Sequence, residues 1–124
     1  MTIVQELKKP NINKKPDFTT GSILNNCFKF NCIKCESELE LNLENQIKNL
    51  WLGKTENINV EEEIEAKTFY RIGQFRKATD GGLAVFDKIK CEKCKAEYVT
   101  YCGVNEFSNS AYNVIVQGIA LIEE

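Results

Sequence analysis

Two cysteine pairs of identical spacing, Cys32-Ile33-Lys34-Cys35 and Cys91-Glu92-Lys93-Cys94, constrain this chain more than any other feature. Each pair closes a strand-like segment (Phe28-Lys29-Phe30 before the first, Phe86 to Lys90 before the second) and opens onto another, Ser37 to Leu43 or Ala96 to Val104. A two-residue gap lets one tight turn aim both sulfurs at a single point while its amide N–H groups support them. Two such turns facing each other place four thiolates around one tetrahedral ion, with Zn–S distances of about 2.3 Å. The long separation between the pairs is no obstacle, because loop-closure entropy grows slowly with length. Other chemistries share the spacing. A redox dithiol wants a helix N-terminus to lower its thiol pKa, and neither pair leads into a helical pattern. Four merely buried thiols would make the repeated spacing a coincidence.

At these residues the chain resembles the zinc-ribbon superfamily, in which two knuckles at the tips of β-hairpins hold one metal. The resemblance covers residues 28–43 and 88–104, and it implies Cys32, Cys35, Cys91 and Cys94 as ligands of a structural Zn2+. That family often has glycine just after the second cysteine of a knuckle, where a positive φ is convenient; here the positions hold Glu36 and Lys95. The departure argues against an iron electron carrier more than against structural zinc. Four protein thiolates leave no open coordination position, so such an ion supports a fold rather than a reaction. Apparent binding free energies of roughly 10–16 kcal/mol then become available to folding. Four bound thiolates and one divalent ion take the formal charge from −2 to about −4. Lys34, Lys90, Lys93 and Lys95 read as exposed turn lysines, and Cys27 and Cys102, away from ligand spacing, as buried structural thiols.

The 124 residues include six cysteines and no histidine. That length fits one domain with a modest core. The missing histidine excludes Ser-His-Asp and Cys-His activation, so no enzyme is expected. The opening MTIVQELKKPNINKKPDF has no apolar core region or small-residue cleavage site, and the run VIVQGIALI is too short and too polar to span a bilayer. A cytoplasmic protein with reduced cysteines is expected.

Residues 1–21 read as an N-terminal arm or loosely docked segment, and 22–124 as a single zinc-ribbon-like domain with an insertion at 44–82. Around the start of that insertion, Leu43, Ile47, Leu50 and Trp51 share a helical face between an N-cap Asn42 and a closing Gly53, with Trp51 expected in the core. Asn59 followed by Glu62 resembles a capping pair, which favours a short helix or irregular turn around 60–66, although Ile58, Val60, Ile64 and Ala66 also share one face of a strand. Residues 69–75 and 83–90 read as strands around the turn Asp80-Gly81-Gly82, and 112–122 as a strand covered on both faces. The fold class expected is mainly β (α+β): a zinc-ribbon-like antiparallel sheet, enlarged by an insertion with one short helix and completed by the C-terminal strand.

Charge is uneven. Glu36, Glu38, Glu40, Glu44, Glu56, Glu61, Glu62, Glu63 and Glu65 face only Lys48 and Lys54 between residues 36 and 65. An acidic middle of this kind suits a basic protein partner and repels phosphate backbones. The function expected is a non-enzymatic, zinc-stabilised protein-binding module. Its class-level analogue is an acidic immunity protein or antitoxin that neutralises a toxin. Glu36, Glu38, Glu40, Glu61, Glu62, Glu63 and Glu65 are the candidate partner-binding residues, with Trp51, Phe69, Tyr70 and Phe75 as candidate surface aromatics against a core-packing alternative that is favoured for Trp51. Nucleic-acid association is the alternative, on Lys8-Lys9, Lys14-Lys15, Arg71, Arg76 and Lys77; overall acidity and the lack of a basic stripe weigh against it.

Overall fold

Alternating apolar residues in the second half of the chain fold into three long antiparallel strands. The computed structural model describes residues 1–11, 15–21, 26–53, 57–73 and 76–123. Lys14, Lys54, Glu56 and Phe75, named above, lie outside them. In chain order the elements are β1 (Thr2–Lys8), β2 (Phe18–Thr19), β3 (Cys27–Asn31), β4 (Glu38–Asn42), α1 (Leu43–Leu52), α2 (Val60–Phe69), β5 (Leu83–Lys90), β6 (Glu97–Ser108) and β7 (Ala111–Glu123).

The main sheet runs β1-β7-β6-β5, with β2 also on β7, and β3 and β4 form a separate two-stranded sheet. The expectation that the C-terminal strand completes the sheet is corrected: β7 lies inside it, paired with β1 and β2 on one side and β6 on the other. The N-terminal segment pairs along β7 from Thr2 opposite Glu123 to Lys8 opposite Ile119, with two register shifts. On the β6 side, Tyr101 pairs with Gly118 but Cys102 with Val116, which leaves Gln117 as a bulge. The buried Gln117 accepts the Asn11 N–H at 2.8 Å and donates to the Asn11 carbonyl at 3.3 Å, so its amide closes on backbone. Beyond the bulge the alternation flips, and Ile119 and Leu121 join the face of Val114 and Val116.

That face, with Val85, Tyr98, Cys102 and Val104, is covered by the β3–β4 hairpin and α1. The opposite face, with Ala84, Phe86, Val99, Tyr101, Ala120 and Ile122, is covered by Ala66 and Tyr70 of the α2 region. Asn42 caps α1 by accepting the Asn45 N–H at 3.0 Å, and Gly53 ends it at φ +71°. Trp51 is a correction. It is 69% exposed, turned about 100° from Leu50, and packs edge-on to Tyr112 at 6.4 Å.

Two helices stand where the fold class counted one, α2 taking the helical reading of residues 60–66 and extending it. The Asn59–Glu62 capping box is formed in both directions, at 2.8 and 3.1 Å, and starts ten helical residues rather than a turn. The strand expected at 69–75 is corrected over its described residues, 69–73: Phe69 ends α2, and Ile72 N–H and Arg71 N–H return to Lys67 and Thr68 carbonyls at 2.8 and 3.2 Å. This is a Schellman stop with Arg71 at φ +58° where glycine is usual. The Asp80-Gly81-Gly82 turn is present, its Gly82 N–H donating to Asp80 Oδ1 at 2.9 Å, and among the described residues its first arm is the isolated Lys77–Leu83 bridge.

Below α1 the buried Asp87 accepts from Gln46 Nε2 at 3.2 Å, Asn49 Nδ2 at 3.4 Å, Asn57 Nδ2 at 3.1 Å and the Lys88 N–H at 2.8 Å. A buried carboxylate is tolerated only when donors surround it in this way, and these donors tie α1 to β5.

Candidate metal centre

The first knuckle joins β3 to β4 and the second joins β5 to β6. In each, two backbone bonds close the turn. Cys32 N–H donates to the Ser37 carbonyl and Glu36 N–H to the Cys32 carbonyl, both at 2.8 Å; Cys91 to Ala96 and Lys95 to Cys91 repeat the pattern at 2.8 Å. Glu36 and Lys95 both adopt positive φ, +65° and +66°. The two turns are therefore the same structure, built twice without the glycine that would make it easy.

The β3–β4 hairpin lies against the main sheet so that the knuckles meet. The sulfurs of Cys32, Cys35, Cys91 and Cys94 all fall within 4.8 Å of one another. The crosswise pairs Cys32–Cys94 and Cys35–Cys91 are each 3.5 Å apart. Four sulfurs at about 2.3 Å from a common ion would be roughly 3.8 Å apart, so the donor set fits a tetrahedral thiophilic metal. Cys32 and Cys91 are buried, Cys35 is half-buried and Cys94 is exposed.

Hydrogen bonding orders the sulfurs. Burial pushes the Cys32 thiol up, but the Tyr98 hydroxyl, the Cys35 and Lys34 amides and Cys94 together bring it down to about 6. Ser37, whose Oγ is 3.3 Å from Cys35 Sγ, and the Ser37 amide hold Cys35 below the usual thiol range. Cys94 receives a lowering bond from the Ala96 amide, yet burial and the three neighbouring sulfurs outweigh it and raise it to about 11.

Tyr98 is the site residue that spacing did not reveal. It is fully buried, donates to Cys32 Sγ at 3.1 Å, and accepts the Ile33 N–H at 3.0 Å. Burial and the adjacent Cys32 push the phenol up, which keeps it a donor. Its only signal in sequence was an inward position on a strand leaving a knuckle.

The remaining candidates sit elsewhere. Cys102 is buried in the core; Cys27 is half-buried at the start of β3, its sulfur 3.5 Å from Asn26 Oδ1 and its thiol pushed up by burial and Glu40. Neither joins the cluster. Lys34 pairs with Glu123 at 3.5 Å and Lys95 with Glu92 at 3.8 Å. The acidic candidates divide between two faces of the sheet. Glu36, Glu38 and Glu40 are exposed on the first hairpin, where Lys29 reaches Glu38 and Glu40 at 3.7 and 3.8 Å. On α2, Glu62 pairs with Lys88 at 2.9 Å, Glu63 with Lys67 and Arg76 at 3.3 and 3.7 Å, and Glu65 with the Met1 amine at 3.6 Å; Glu61 faces solvent. Among the described residues no helix is long and apolar enough to cross a membrane. Compared with protein-family models, with curated proteins and with solved structures, the chain matches none.

Proposed function

We propose that this chain is a non-enzymatic, zinc-stabilised protein-binding module of zinc-ribbon type, in which one Zn2+ fastens the β3–β4 hairpin to the end of the main sheet. The observation that carries this reading is the convergence of four cysteine sulfurs within 4.8 Å from two knuckles of one design. Four thiolates fill a tetrahedral ion, so the centre has a structural role and function belongs to the surface it organises. That surface supports protein binding through large apolar side chains left in solvent, Trp51, Leu52, Val60, Ile64, Phe69 and Phe107 among them. On α2 they stand beside the exposed Glu61 and Glu65, which favours a partner both apolar and basic. A basic toxin domain neutralised by this chain is one such partner.

Elemental analysis of purified protein should find one colourless zinc per chain. Cys32→Ser and Cys91→Ser should each lose it, and Cys27→Ser should keep it. Coloured, iron-containing protein, or unchanged zinc in Cys32→Ser, would refute the centre. For the surface, a pull-down should retain a protein partner that Ile64→Asp combined with Glu61→Lys releases; no stable partner, or one indifferent to both changes, would refute the binding role.

A further inference from the structure

Tyr98 belongs to β6, the strand that leaves the second knuckle, yet its hydroxyl serves the first. Oη donates to Cys32 Sγ at 3.1 Å and accepts the Ile33 amide at 3.0 Å, while the ring stands edge-on to Phe30 of β3 at 5.4 Å. The residue is 0% exposed, and losing the hydroxyl takes away both the donor to Cys32 Sγ and the acceptor of the Ile33 N–H. Repetition of the knuckle does not demand this. The position four residues after Cys35, equivalent to that of Tyr98 after Cys94, is Leu39, which has no donor. A phenol here does something a phenylalanine would not.

Building on the metal-centre reading, we propose that Tyr98 is a positioning residue for the metal: held by Ile33, its hydroxyl latches the first knuckle to the second and orients the Cys32 sulfur before the ion arrives. A site assembled from two separate hairpins must otherwise bring them together on binding. A latch already closed removes part of that ordering loss from the affinity, and a hydrogen bond to a ligating atom fixes its direction. The buried Cys32 and Tyr98 form the fixed floor of the site, and the exposed Cys94 stands on its open side.

Tyr98→Phe removes the hydroxyl and leaves the ring on Phe30. In chelator competition with Zn2+ on the full chain, its affinity is expected to fall roughly 10- to 100-fold. With Co2+ in the site, its sulfur-to-metal charge-transfer band is expected to move to lower energy, since a thiolate that loses a hydrogen bond releases electron density more readily. In metal-free protein, amide exchange over Cys27–Asn31 and Glu38–Asn42 should quicken relative to wild type. Tyr101→Phe serves as the control: it removes a hydroxyl from the same strand that bonds Thr79 at 2.7 Å, and should leave Zn2+ affinity and the Co2+ band unmoved. The latch is overturned if Tyr98→Phe binds Zn2+ within about twofold of wild type with an unshifted Co2+ band, or if both variants lose affinity equally. Wild-type protein that takes up neither ion overturns the metal-centre reading, and the latch with it.

Discussion

Glu36 and Lys95 occupy the left-handed region at φ +65° and +66°, where a side chain costs about 1–2 kcal/mol that glycine would not. The knuckles form regardless, because two backbone bonds per turn hold them. The missing glycines, which in sequence counted against an iron site, thus describe an energetic burden and not a different turn. Gly118 is one position where glycine is needed. A Cβ there would stand 2.6 Å from Tyr70 Oη and 2.7 Å from its Cζ. Gly118→Ala should destabilise by about 1–3 kcal/mol in denaturant unfolding. In a Tyr70→Ala background the loss should largely vanish; strict additivity would show that the contact is not the cause. At this scale the sequence disclosed the four cysteines, since their spacing is itself the chemistry. It hid Tyr98, whose role comes from a partner on another hairpin, and it misplaced Trp51, because hydrophobicity does not say on which side of Leu50 a helix meets its neighbour.

Among the elements, α2 shows how local signals succeed and fail. Its start was legible because the Asn59–Glu62 box is a bond between near neighbours. Its end was not: the stop at Arg71 uses a residue that does not advertise a left-handed turn, so Phe69 and Tyr70 read as the head of a strand. Asp87 was hidden for a similar reason, since only α1 and Asn57 together make an inward carboxylate acceptable. Glu62 also links α2 to the sheet. Burial pushes its carboxyl up, but Lys88 and the Asn59 amide outweigh this and hold it below the ordinary 4.5. Lys88 is raised above 10.5 by its bond to Glu62, against a smaller effect of burial. The carboxylate therefore stabilises the fold above pH 4.5 and ceases to as pH falls through its depressed value. The ammonium stabilises below pH 10.5 and ceases to as pH rises through its raised one. Glu62→Gln should lower stability between these limits, by at most about 1 kcal/mol for so partly shielded a pair, and the gap from wild type should close in acid. A gap that does not narrow as pH falls below the ordinary 4.5 in urea titrations would mean that the ion pair is not its source.

For the molecule as a whole, the four-cysteine cluster lies where a two-stranded sheet meets a larger one that has a core of its own, so an ion bound there would tie the two together. Chelation should therefore act unevenly. Amides of β3 and β4 should lose hydrogen-exchange protection, while those in the middle of β6 and β7 keep theirs; uniform loss would show that the ion supports the entire fold. The mainly β class and the strands at 83–90, 96–104 and 112–122 could be read from alternation. Which strand pairs with which could not, because β7 has apolar residues on both faces whether it lies inside or at the rim. Its neighbour β1 was read as an arm for the same reason: pairing depends on residues at the far end of the chain.

That pairing, Thr2 against Glu123, also sets a clock. The first strand cannot find its place until the last exists, which puts closure of the main sheet among the slow, high-contact-order events of milliseconds to seconds. The β3–β4 and β5–β6 hairpins need only nearby chain and can form beforehand. An ion captured between their tips would join two early pieces while β7 is still unplaced, making the cysteines a folding aid as well as a fastening.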